Sequence, residues 1–435
     1  IWWVVWIGLA IFLLARATSR RESKGVILDH LEFGRRLWCG EDVYGPWRSD
    51  PDAPVLPLHA PFPPSFGLLA GPFALVDAAF GVRAARFVWA LLQLGCLAWI
   101  AVALRRLLVH RPALAPPRPA TWHLLWLLGF VLAARFVLRD LHGGGGNLIN
   151  VALCLAAFVD GERGRERRAG CWLAFSLLTK PNQVWLLPLF LVLGRRRVVG
   201  WTLVAGVLGV LVTAALQRFD VAPWWRWAEG CWRLATQGDA FAAPPLDFPD
   251  FEWMNQTLRC ALARWLGDVP PEFAARVAWG VVPGLGLGLT VVVWITRVVT
   301  AALLGAVLWT AWRTRRAAAA RLFAFAATLV LSVLLSPLSW KAHHVALLPL
   351  LLLLVHRALV GGHRGTWWLL AAWALCCQLG RDLVGDAADE WGNSIYVITA
   401  WDVGLLLLAL RLAWSAAREH DEAARIGESL QVAGQ

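Results

Sequence analysis

Long apolar runs recur along this chain from its first residue to beyond residue 400, and a lipid bilayer is the environment that such runs fit. They fall at 1–15, 84–104, 121–138, 147–160, 169–194, 198–216, 288–312, 322–338, 344–356, 366–380 and 395–411. With 59% hydrophobic and 16% charged residues over 435 positions, no long polar block is left to build a separate soluble domain. The expected fold is an all-α polytopic membrane protein, a bundle of roughly 10–12 transmembrane or re-entrant helices. It forms a single domain over 1–415, interrupted by two larger outer loops at 16–83 and 217–275 and followed by a tail at 416–435. The first run is short for a span, which predicts further residues before it. Segment 64–80 is apolar but holds Pro64 and Pro72, and reads as a short or re-entrant element.

The net charge of +12 is distributed in a way that argues against nucleic acid as a partner. The bases cluster in short loops beside apolar runs: 105–118, 161–168, 195–197, 313–321 and 357–364. That is the pattern of cytoplasmic loops, and it predicts a cytoplasmic membrane protein with its C-terminus inside. The other loops are neutral or acidic and are expected outside. Loop 217–275 has five Arg against eight acids, and loop 381–394 has one Arg against four. Many of the 29 tryptophans, among them Trp122, Trp201, Trp340, Trp367 and Trp368, stand where an apolar run meets a polar loop, as interfacial indoles do. A compositional bias toward Trp explains part of the excess.

One block conflicts with a simple span count. Residues 169–194 are long enough to cross, yet Arg-rich loops flank both ends. The centre reads Thr179-Lys180-Pro181-Asn182-Gln183. Proline removes a backbone donor and disfavours helix in the residue before it, and a lysine at depth must face protein or water. A hairpin of two half-helices keeps both arginine clusters on one side, with its polar turn buried in protein. A single kinked span is the alternative.

The candidate functional residues lie on the outer side. In 27–38, Ile27, Leu28, Leu31, Leu37 and Trp38 form the apolar side of an interfacial helix. Asp29 and Glu32 share a face of it. Glu32 is also spaced to pair with Arg36, and Asp29 is placed to cap the helix. The loop His142-Gly143-Gly144-Gly145-Gly146-Asn147 leaves backbone amides open before a helix start, a weak anion-site signal that is not a P-loop. Lys341-Ala342-His343-His344 puts cations at the outer membrane surface, where they suit a lipid phosphate. Adjacent histidines point in different directions, and no further ligand cluster or Cys pair accompanies them, so no metal site is expected. Asp402 is an intramembrane acid whose partner cannot be read from the sequence.

In this order, the pieces resemble glycosyltransferase family 87, membrane mannosyltransferase-like enzymes of GT-C architecture. The resemblance is carried by Gly40-Glu41-Asp42-Val43-Tyr44 with Pro63-Pro64, Gly146-Asn147-Leu148-Ile149-Asn150, Lys180-Pro181-Asn182-Gln183, Asn255-Gln256-Thr257-Leu258-Arg259, and Leu335-Ser336-Pro337-Leu338-Ser339-Trp340 with His343-His344. It covers most of the chain, roughly residues 20 to 360. It implies a hexosyltransferase that moves a hexose, mannose first among them, from a polyprenyl-phosphate sugar to a glycolipid or glycan acceptor outside the membrane. It also implies a catalytic acid in the first outer loop. The family spacing lands on Val26, three residues before Asp29. The role is carried to Asp29, with Glu32 in reserve.

A lipid phosphate leaves readily if positive charge meets it, and the acceptor hydroxyl needs one base. Asp29 is the expected base. Lys341, His343 and His344 are the expected phosphate ligands. Tyr44, Asn147, Asn150, Lys180, Asn182, Gln183, Asn255 and Arg259 are the expected cavity lining. The scheme calls for no cofactor or metal. A lipid-linked sugar flippase or transporter, or a non-catalytic scaffold, would show the same broken helices without a base.

Overall fold

The computed structural model describes residues 2–19, 26–45, 62–109, 119–236, 254–275 and 277–433. Among these residues the secondary structure is helical. The N-terminal part comprises α1 (Trp2–Thr18), α2 (Ile27–Cys39), α3 (Phe66–Phe80), α4 (Val82–Val109), α5 (Pro119–Gly143) and α6 (Asn147–Glu162). Then come α7 (Glu166–Thr179), α8 (Leu186–Val192), α9 (Arg196–Leu216), α10 (Ala222–Thr236), α11 (Leu258–Leu266) and α12 (Pro271–Ala274). The chain ends with α13 (Leu289–Thr314), α14 (Ala318–Leu334), α15 (Leu348–Val360), α16 (Arg364–Cys377), α17 (Arg381–Ser394) and α18 (Val397–Ala433). Single 3₁₀ segments precede α8 (Pro181–Gln183) and α15 (Lys341–Leu347).

The all-helical polytopic expectation holds. Five segments are long and apolar enough to cross a membrane unaided: α4, α9, α13, Lys341–Val360 and Val397–Ile426. Helices that are apolar all round end up in the middle. Nearly every residue of α6, α14 and α15 is buried, and they form the main core with α5 and α18. By contrast α9 and α13 expose Leu203, Val207, Leu211, Trp294 and Val298, a surface suited to lipid. The segment expected as a tail is the continuation of α18. At 1.5 Å per residue its 37 residues extend well past a bilayer core of about 30 Å, with Arg418 to Arg425 exposed.

Segment 169–194 is a hairpin. α7 runs antiparallel to α6, with Trp172 Nε1 donating to Asp160 Oδ2 near one end and Asn150 meeting Ser176 near the other. α9 then runs parallel to α7, because Gly170 abuts Trp201 and Thr202 while Gly209 abuts Leu178. Parallel neighbours require that α8 bring the chain back, and it does: Phe190 packs against Gly161, and Arg195 approaches Glu162 at 3.9 Å. Glu162 also binds Arg321 at 2.9 Å, and Arg197 approaches Glu166 at 3.8 Å. Three arginine clusters therefore share one end of the bundle, as the charge rule requires.

The segment expected as the first outer loop holds a tight helical pair. α2 and α3 approach so closely that a Cβ on Gly34 would lie 2.6 Å from the Ala70 carbonyl carbon, and one on Gly71 would meet the Trp38 indole. Segment 64–80, read as a short or re-entrant element, is the partner helix α3, with Pro72 inside it.

Candidate functional site

The hairpin tip lies at the end of the bundle opposite the arginines. Lys180 has extended backbone (φ −147°, ψ 105°), as a residue before proline must. Its ammonium is buried: Nζ donates to Asn147 Oδ1 at 2.9 Å and sits 5.1 Å from the Phe62 ring centroid. Asn150 Nδ2 donates to the Lys180 carbonyl at 3.1 Å, and Ser176 Oγ donates to Asn150 Oδ1, so α6 pins the tip. Asn182 is half-buried in the 3₁₀ turn. Gln183 is buried, and its Oε1 lacks a hydrogen-bond partner among the described residues.

The glycine run departs from the anion-site expectation. The start of α6 is already occupied by the chain's own Asp140. Its Oδ2 accepts from Leu148 N at 2.9 Å, and its Oδ1 accepts from Asn147 N at 3.3 Å and Asn147 Nδ2 at 2.7 Å. A carboxylate there satisfies the free amides and the helix dipole, leaving no vacancy for an outside anion. The glycines make this possible. A Cβ on Gly145 would lie 2.1 Å from Asp140 Oδ1, and Gly144 has φ +72°. Asp140, Asn147 and Lys180 thus form a buried acid–amide–ammonium chain.

The segment expected as an interfacial helix is α2, and its two acids differ in their partners. Glu32 is held by Arg36 at 2.6 Å and Arg35 at 2.8 Å, so the predicted i,i+4 pair is present. Burial pushes the Glu32 carboxyl up, but the two arginines outweigh it and hold it below the usual range. Asp29 makes no ion pair or side-chain hydrogen bond among the described residues. Its side chain reaches solvent, yet the protein around it pushes its carboxyl up to about 6 by desolvation. The next residue, His30, is fully buried against Phe62, Phe66 and Trp89, with both ring nitrogens unpaired among the described residues. Burial, and then the charge of Lys180, lowers its pKa well below the ordinary value. His30 thereby links the α2 helix to the hairpin tip. The nearby Tyr44 is buried and donates to the Phe62 carbonyl at 2.7 Å.

The adjacent histidines separate as well. His344 has no exposed surface; its Nδ1 lies 2.8 Å from Asp402 Oδ2, which supplies the partner that the sequence left unnamed. With His344 turned into the core, the phosphate expectation rests on Lys341 and His343. His343 is half-buried, within electrostatic reach of Lys180, and its Nδ1 accepts the Trp340 amide at 3.0 Å. The same nitrogen lies 3.3 Å from the Trp340 carbonyl, so its role in this contact depends on the ring's tautomer. Lys341 Nζ binds Asp389 at 2.9 Å, and Arg135 binds the same carboxylate. Asn255 is a latch: it accepts the Ser339 amide at 2.9 Å, while Gln256 N donates to the Ser339 carbonyl at 2.7 Å. Arg259 is half-buried in the first turn of α11.

This arrangement joins the Gly146–Asn150, Lys180–Gln183, Asn255–Arg259 and Leu335–His344 segments at one end of the bundle. The family model for glycosyltransferase family 87 matches residues 61–337, well over half of the chain. The chain belongs to glycosyltransferase family 87. It is therefore a membrane glycosyltransferase that works with a sugar donor and an acceptor at a bilayer. No curated protein and no solved structure matches it. The matched range begins after α2, so Asp29 and Glu32 stand outside it. For this family 87 member, sequence reasoning missed Asp140, Arg135, Asp389 and His30. The available signal was charge in apolar surroundings: Arg135 and Arg139 lie four apart on an apolar helix away from the basic end, and Asp140 follows directly.

Proposed function

We propose that this enzyme moves a hexose, mannose in the first instance, from a polyprenyl-phosphate sugar to a glycan or glycolipid hydroxyl, with Asp29 as the base. The observation that supports the reading is a carboxylate on α2 with no ion pair or side-chain hydrogen bond among the described residues, pushed up to about 6 by desolvation, in the residue before His30, whose ring lies within electrostatic reach of Lys180. In the transfer, the acceptor oxygen bonds to the anomeric carbon as the bond from that carbon to the phosphate oxygen breaks. Asp29 takes the acceptor proton, and the phosphate leaves on the polyprenyl chain. His343 and Lys341 stabilise the charge that develops on it, which is where a leaving phosphate gains most. Lys180, within electrostatic reach of His343, supplies fixed positive potential. The basic loops support placing this site on the outer face of the cytoplasmic membrane.

The test is sugar transfer from polyprenyl-phosphate mannose in proteoliposomes. Asp29→Asn, folded by its thermal transition, is expected to lose a factor on the order of 10² or more in turnover, the worth of a general base. Near wild-type turnover would remove Asp29 from the reaction. Flux of donor without product would point to a lipid-linked sugar flippase instead.

A further inference from the structure

Asp389 receives more donors than a surface acid needs. Lys341 Nζ lies 3.1 Å and 2.9 Å from its two oxygens, Arg135 Nη2 bonds Oδ1, and Asn393 Nδ2 donates to Oδ2 at 3.3 Å. The side chains of Arg135, Lys341 and Asp389 are each no more than 14% exposed. Two cations on one carboxylate leave net positive charge, and Arg139 adds to it within electrostatic range of both. A fork of guanidinium plus ammonium is the donor set that recognises phosphate.

The two sides of this cluster are held differently. Arg135 is fixed: Nη1 donates to the Cys377 carbonyl at 2.8 Å, and Gly380 packs over its guanidinium. Lys341 begins the buried segment that leads into α15. Asp389, in contrast, rides on α17. Residues 381–386 of that helix are exposed, Gly385 breaks it with φ 81°, and Tyr396 just beyond it has φ 56°. Left-handed backbone at a bulky residue is strained and accumulates at segments that switch. The Asp402–His344 pair offers no such asymmetry, since both members are sealed in the core.

We propose that Arg135 and Lys341 form the cradle for the donor's phosphate, and that Asp389 is a placeholder which leaves it when a polyprenyl phosphate enters. The inference rests on the proposed lipid-phosphate donor and adds Arg135 and the moving carboxylate. A buried pair of cations is costly without an anion, so the empty site keeps one of its own. The incoming phosphate restores neutrality and offers more acceptor oxygens.

The test reads binding without turnover, so it stands or falls apart from the transfer reaction. Polyprenyl phosphate and, separately, inorganic phosphate are titrated into detergent-solubilised protein. Asp389→Asn is expected to bind polyprenyl phosphate on the order of tenfold more tightly than the wild type, about 1.4 kcal/mol, because the competing charge is gone. Lys341→Met should abolish that binding. Unchanged or weaker binding by folded Asp389→Asn would make Asp389 a permanent counter-ion and overturn the proposal, as would a gain confined to inorganic phosphate. Amide exchange on the wild-type chain gives a second reading that needs no variant. Amides in α17 should exchange faster once polyprenyl phosphate is bound, and unchanged protection overturns the proposal equally.

Discussion

Removing the carboxylate of Asp140 tests whether the buried acid–amide–ammonium chain holds the hairpin tip. Asp140→Ala strands three buried donors: the amides of Asn147 and Leu148 and the Asn147 side-chain NH₂. Gln93 keeps its 2.6 Å bond to the Gly145 carbonyl and loses little. At about 1–3 kcal/mol for each stranded donor, the loss is at least about 3 kcal/mol. Lys180 also loses its nearest anion, and breaking a buried charge pair costs about 3–5 kcal/mol. Some of this overlaps, so about 4–6 kcal/mol is expected, a large share of an ordinary domain's stability of about 5–15 kcal/mol. The assay is thermal unfolding in detergent. The single variant should melt lower by roughly 5 °C or more. Lys180→Met in the same chain removes the orphaned charge and should return about 1–3 kcal/mol. A single variant that melts with the wild type, or a double variant no more stable than the single, would refute the reasoning.

Two further outcomes follow from other parts of the structure. With its carboxyl at about 6, Asp29 is ionised above that pH and loses its capacity as a base as protons return. Transfer should therefore fall as pH drops through about 6, and kcat/KM that stays flat between pH 5 and 8 would contradict the assignment. Gly34→Val forces a side chain into the Ala70 backbone, so it should lower the melting temperature by an amount corresponding to about 1–3 kcal/mol; an unchanged transition would show that α2 and α3 do not pack as described.

Much of the fold was legible because membrane burial and loop charge are local quantities. The apolar runs marked the helices of the bundle, and the arginines flanking 169–194 favoured a return to the same side over a single kinked span. Lys180-Pro181 marked the turn because proline constrains its neighbour's backbone. Glu32 and Arg36 pair as their i,i+4 spacing predicts. The glycine run was legible as an opening but not as a cap. Its anion comes from Asp140 on the preceding helix, and nothing in the run itself reports who fills it.

Partnership between distant residues was decided only in three dimensions. Lys341 and Arg135 converge on Asp389, and His344 finds Asp402, because helices far apart in sequence pack side by side. Two adjacent histidines of the same type parted, one within reach of Lys180 and one into the core against Asp402, according to the direction in which the 3₁₀ segment Lys341–Leu347 turned each ring. Hydropathy and charge state how much of a residue water will tolerate losing. They do not state which buried group will compensate it, since that choice depends on side-chain geometry across contacts that exist only once the bundle has closed. The apolar runs at the outset thus dictated an all-helical membrane fold and the common end of its arginines. The acid–amide–ammonium chain, the Asp389 cluster and the isolation of Asp29 arose from tertiary packing.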